Sequence, residues 1–195
     1  MYWTYQFDRP ATRPGFARGA LPYTGAVGSI DLVELAPGLG FATTVERLAA
    51  LKLTGGSPQG RFEVYEYRVL RDIEQRQRLA LVHSADQIDT SALVIDFDST
   101  GGVDSVAQTF ERVRKALIDR YGAPTFVLEE GEFTPNFVVD INAQRLLRVM
   151  EWETPVGVLR FGLRRRLDGR VRMEIQHRRS FPPLRDLRWS LEELR

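Results

Sequence analysis

The chain has no cysteine. That excludes disulfides, thiolate metal sites, iron–sulfur clusters and a cysteine nucleophile. Histidine occurs only at His83 and His177, and lysine only at Lys52 and Lys115. No apolar run approaches the ~18 uninterrupted residues of a membrane-spanning helix. The opening residues, Met1 to Asp8, lack a basic start followed by an apolar stretch, so they do not read as an intact signal peptide. Neither a G-x-S-x-G nucleophile elbow nor a G-x-x-x-x-G-K phosphate loop is present. Localisation stays open between cytoplasm and periplasm, because both hold cysteine-free proteins.

What is present is ordinary for a globular chain: 43% hydrophobic and 27% charged residues over 195 positions. A chain of that length buries roughly 70% of its unfolded surface and needs no metal or disulfide to hold a core. The net charge of +1 hides an uneven distribution. From Pro155 to Arg195 there are eleven arginines against five acids. Such a preference for arginine over lysine fits the composition of a GC-rich bacterial genome. It also supplies guanidinium groups that bind anions bidentately, as lysine cannot.

The expected fold is α+β, an antiparallel meander packed with two helices. An extended arm is expected over 1–26, a single domain over 27–180 and a tail over 181–195. Val27–Leu35 reads as a strand and Thr43–Leu51 as a short helix capped by Thr43 or Thr44. Arg61–Leu70, Arg78–His83 and Ser91–Asp98 read as strands. The next helix is the clearest element. Val106, Phe110, Val113, Leu117 and Tyr121 share one face, Ser105 and Gln108 suit a capping box, and Gly122 and Pro124 end it. Strands are expected at Thr125–Glu129, Asn136–Ile141, Arg145–Glu153, Val156–Leu167 and Val171–Arg178. Helix then strands, followed by helix then strands, suggests a duplication with halves 27–98 and 103–180. That order is loosely similar to the tandem helix–sheet inhibitor proteins, the group of the β-lactamase inhibitory protein.

In the last hairpin, a three-residue turn at Asp168-Gly169-Arg170 sets Leu163 opposite Ile175 and Glu174 across from Arg164. Arg160, Arg164, Arg166, Arg172 and Arg178 then share the outer, wet face. This basic face, with Trp3 and Trp189 near the chain ends, is the candidate binding surface.

Other residues suggest chemistry. Ala92-Leu93-Val94-Ile95 leads into Asp96-Phe97-Asp98-Ser99-Thr100, an apolar strand ending in D-x-D-x-T. The segment resembles the first motif of haloacid dehalogenase-type phosphatases. The resemblance implies Asp96 as nucleophile, Asp98 as acid/base, Thr100 as a phosphate contact, and magnesium. The family's later lysine and paired acids on another parallel strand have no counterpart here. Alternation places Asp96 and Asp98 outward, opposite Leu93, Ile95 and Phe97. His83 and His177 each continue an apolar strand face and would share a metal site only if their strands were neighbours. Glu151 and Glu153, about 7 Å apart along a strand, and Glu63 and Glu66 are carboxylate pairs more simply read as partners of arginine.

No complete catalytic set emerges, and no cofactor or metal is expected. The expected function is a non-enzymatic interaction module, an inhibitor, immunity factor, adaptor or assembly subunit, whose partner is another protein. A magnesium-dependent phosphatase at Asp96 and a polyanion-binding arginine face are the alternatives. Nucleic acid is not favoured, since the arginine face lacks interleaved aromatics for stacking.

Overall fold

The computed structural model describes residues 31–53, 56–59, 62–66, 70, 73, 75–97, 102–165 and 171–181. In chain order come α1 (Phe41–Ala50), β1 (Ser57–Gln59), β2 (Phe62–Glu66), β3 (Arg76–His83) and β4 (Ile88–Asp96). There follow α2 (Val103–Tyr121), β5 (Phe126–Glu130), α3 (Phe137–Asn142), β6 (Leu147–Thr154), β7 (Gly157–Arg165) and β8 (Val171–Arg178). A helix followed by four strands thus occurs twice among the described residues, the second time with α3 inserted. The strands form one open antiparallel sheet in the order β1-β2-β3-β4-β8-β7-β6-β5. Each half is a meander, and the halves join through their last strands, with Leu93 opposite Ile175. The α+β class and the antiparallel sheet expected from the sequence are present. Apart from Ser180 and Phe181, the described residues belong to one compact unit, Gly25–Arg179. The expected arm over 1–26 lies outside the described residues, as does the tail beyond Phe181.

All three helices pack on one side of the sheet. Leu48 of α1, Phe110 and Val113 of α2, and Phe137 of α3 share a core with inward residues such as Leu93, Trp152 and Ile175. Along α2 the buried positions Val106, Phe110, Val113 and Leu117 follow three- and four-residue steps, the stripe that an amphipathic helix turns inward. Gly122 ends the helix at φ 80°, its N–H donating to the Ile118 carbonyl at 2.8 Å. The Trp152 indole N–H donates to the Gly122 carbonyl at 2.7 Å, tying the helix end to β6.

Several local expectations are corrected. The capping box at Ser105 and Gln108 does not form. The turn opens earlier, where the Gly102 carbonyl accepts from the Ser105 and Val106 N–H groups, and no side chain caps the helix. Similarly, α1 starts at Gly40, whose carbonyl accepts from the Thr44 N–H and hydroxyl, so Thr44 is inside the helix. Asn136–Ile141 is not a strand. Phe137 and Ile141 are buried one helical turn apart while Val139 is 57% exposed, and α3 results. Within the expected strand Val27–Leu35, residues 31–35 form a turn. Asp31 accepts from Val33 N–H through its side chain and from Glu34 N–H through its carbonyl.

The turn after β5 depends on Gly131. Its φ is +68°, and a Cβ there would lie 2.1 Å from the Arg145 carbonyl oxygen. Gly131→Ala is expected to cost more than about 1 kcal/mol. Urea unfolding should show a lower midpoint with unchanged slope.

Candidate functional site

The candidate surface lies on the sheet face opposite the helices. Its residues alternate with the core positions and line up across strands. One row runs Arg76, Asp96, Arg172 and Arg164 by backbone register. The next runs Glu66, Arg78, Val94, Glu174 and Gly162. A third runs Val64, Ala80, Ala92, Gln176, Arg160 and Glu151. The two halves repeat one detail: Arg78 on β3 faces Glu66 on β2 as Arg160 on β7 faces Glu151 on β6.

The hairpin register differs from expectation. Leu163 stands opposite Met173 and Arg165 opposite Val171, so the connection is longer than three residues. The shift is an even number of positions, which keeps the inward Leu163, Met173 and Ile175 on the face expected of them. It does change neighbours: Glu174 faces Gly162, and Arg164 faces Arg172.

The larger correction concerns solvation. Arg160 is on the outer face but is only 2% exposed. Its Nε donates to Glu151 Oε1 at 2.7 Å, and a terminal nitrogen lies 2.5 Å from the same oxygen. Glu151, Glu174 and Gln176 are buried with it. Alternation identifies the side of a sheet a residue occupies, and says nothing of whether that side meets water. Arg178 is half-buried opposite Thr90 and Val158. Arg166, Trp3 and Trp189 lie outside the described residues.

Asp96 is the one member of the D-x-D-x-T segment that can be placed, since Asp98 and Thr100 lie outside the described residues. It is half-buried, 2.5 Å from Arg78 and 3.4 Å from Arg172. Its strand runs antiparallel to both neighbours. Three arginines from two strands, Arg76, Arg78 and Arg172, therefore gather about one carboxylate. Arg76 also pairs with the exposed Glu66. Arg76 and Arg78 were not singled out from the sequence. Their outward direction follows from alternation along β3, but the pairing of β4 with β8 that brings Arg172 beside them is a long-range contact with no local signal.

The two histidines have separate partners, with β4 between their strands. His83 stacks on Phe41 with centroids 3.5 Å apart, and its Nε2 is 3.7 Å from Glu63. The same carboxylate, after burial, contributes to pushing the Tyr65 hydroxyl up to about 12. His177 is fully buried and bonds the Leu32 carbonyl and the Thr154 hydroxyl. Burial holds its ring below the ordinary histidine value. Glu63 and Glu66 point to opposite faces of β2, and Glu151 is engaged by Arg160, so neither carboxylate pair forms an acid/base couple. Among the described residues no group of His, Asp and Glu could hold a metal ion.

Comparison with protein-family models, with curated proteins and with solved structures finds no match to this chain.

Proposed function

We propose that the chain is a non-enzymatic interaction module that meets an acidic protein partner at the arginine-bearing end of its sheet. One observation carries this reading. Arg76, Arg78 and Arg172 converge around Asp96 on the face that none of the described helices covers. Arginine is suited to carboxylates because its planar fork bonds both oxygens. Rigid strands hold the guanidinium groups in a fixed pattern, which limits the entropy lost on binding.

The test is capture from an extract of the source organism with the immobilised full chain, against Arg76→Glu and Arg172→Glu variants of unchanged circular dichroism. A stoichiometric acidic protein is expected, held about thirtyfold or more weakly by either variant, the loss that follows when a close charge pair is broken. Glu66→Arg should tighten binding. Equal capture by wild type and variants would overturn the proposal, as would capture that nuclease treatment abolishes.

A further inference from the structure

We propose that His177 is a buried proton-binding switch, in which the Thr154 hydroxyl changes its hydrogen-bond partner with the charge of the ring. The inference follows from counting hydrogens. His177 Nδ1 lies 3.0 Å from the Leu32 carbonyl oxygen. A carbonyl only accepts, so Nδ1 carries a hydrogen in either charge state. On the other side, Nε2 lies 3.1 Å from Thr154 Oγ1, and that oxygen lies 3.0 Å from the Gly157 carbonyl oxygen.

Thr154 has one hydroxyl hydrogen for two claimants. With a neutral ring, Nε2 is a bare acceptor and takes the hydrogen, and the Gly157 carbonyl loses that donor. With a charged ring, Nε2 donates to Thr154, and Thr154 donates onward to Gly157. Every contact around the ring is then used. The hydrogen-bond arrangement thus favours the charged ring, while complete burial opposes it.

The surroundings determine which prevails. From the segment ahead of α1, Asp31 attracts a proton to the ring. Asp31 is itself engaged by Arg120, at 2.7 Å, and by the Tyr121 hydroxyl, at 2.6 Å, both at the end of α2. The flanking strands present uncharged groups: Ser91 from β4, Leu159 from β7 and Thr154 from β6. Desolvation prevails and holds the ring's pKa below the ordinary histidine value of 6.5. The unfolded chain therefore takes up the proton first. The stability from neutral His177 is whole above 6.5 and declines as pH falls towards the depressed folded value. The Leu32 carbonyl, which also accepts from Ser91, keeps its bond from Nδ1 in both states, and proton uptake makes that bond charge-assisted.

Nitrogen-15 NMR of the full chain from pH 8 to pH 4.5 tests this. At pH 8 the ring should carry its hydrogen on Nδ1. Its titration midpoint should fall below 6.5, and the Val158 amide, which follows the Gly157 carbonyl, should shift through the same transition. Thr154→Val should lower the midpoint further and abolish the Val158 response, whereas Thr154→Ser should preserve both. A hydrogen on Nε2 at pH 8, an unperturbed midpoint, a silent Val158, or a ring that titrates only as the fold is lost would each overturn the proposal. A structural role for Thr154 alone would lower stability equally at all pH values and leave the midpoint in place.

Discussion

Replacing Arg160 by methionine is expected to lower the unfolding free energy by about 3–5 kcal/mol, the loss typical when one member of a buried ion pair is removed. Arg160 is 2% exposed and Glu151 1%. The arginine stem packs against the sheet, and its head serves the Glu151 carboxylate through two nitrogens. Without it, a buried carboxylate loses a principal partner, and water cannot replace the guanidinium. The same change at Arg76, whose pair with Glu66 is 65% and 57% exposed, should leave the urea midpoint almost where it is, because solvent screens that pair. The double replacement Arg160→Met with Glu151→Leu should recover most of the loss, since apolar residues of similar volume substitute well for a buried ion pair. Urea unfolding of the wild type, both single variants and the double variant gives the coupling directly. A loss below about 1 kcal/mol for Arg160→Met would show that the pair does not anchor the outer face.

Phe110→Ala is expected to cost a similar amount, about 3–5 kcal/mol, by a different route. Phe110 has no exposed surface and stacks on Phe161 with centroids 4.9 Å apart and planes 19° from parallel. It also meets Phe133 at 6.1 Å, so one ring joins α2, β7 and the loop before α3. Removing it loses transferred apolar surface and leaves a cavity that three separate elements must collapse to fill. Thermal unfolding should shift down by about 6–20 °C for a chain of this size. Phe110→Leu, which keeps most of the volume, should cost under about 1.5 kcal/mol. Val127→Ala, at a position 44% exposed on the edge strand β5, should change stability by less than about 0.5 kcal/mol.

The contrast between these sites marks what the sequence can reveal. The Phe110 stripe was legible because a nineteen-residue helix repeats its period often enough to exclude other readings. Strand β8 was equally legible, and Val171–Arg178 has the bounds expected of it. At Asn136–Ile141 six residues satisfied both periods, since Phe137, Val139 and Ile141 alternate while Phe137 and Ile141 are also one turn apart. Only packing distinguishes the two. In the last hairpin the faces were readable and the register was not, because an even shift preserves every inward residue. For the arginines, direction was legible but burial was not. Glu151 stands across the β6–β7 hairpin from Arg160 and reads as an arginine's partner, but nothing local tells that the pair is buried. The cluster at Asp96 depends on residues from β3, β4 and β8, which only the joining of the two halves brings together.

The central pairing of β4 with β8 also bears on how the chain reaches this structure. Each helix-and-meander half can form from neighbouring segments, but its last strand remains bare until the other half arrives. Closing that seam encloses all the chain between Leu93 and Ile175, an entropic cost that rises with the logarithm of the enclosed length. Contacts of such long sequence separation form late and slow the overall reaction. Until then β4 and β8 are open templates, and either can accept the matching strand of another molecule with its ladder bonds intact. The seam is therefore the point at which two chains can trade halves and become an interlocked pair.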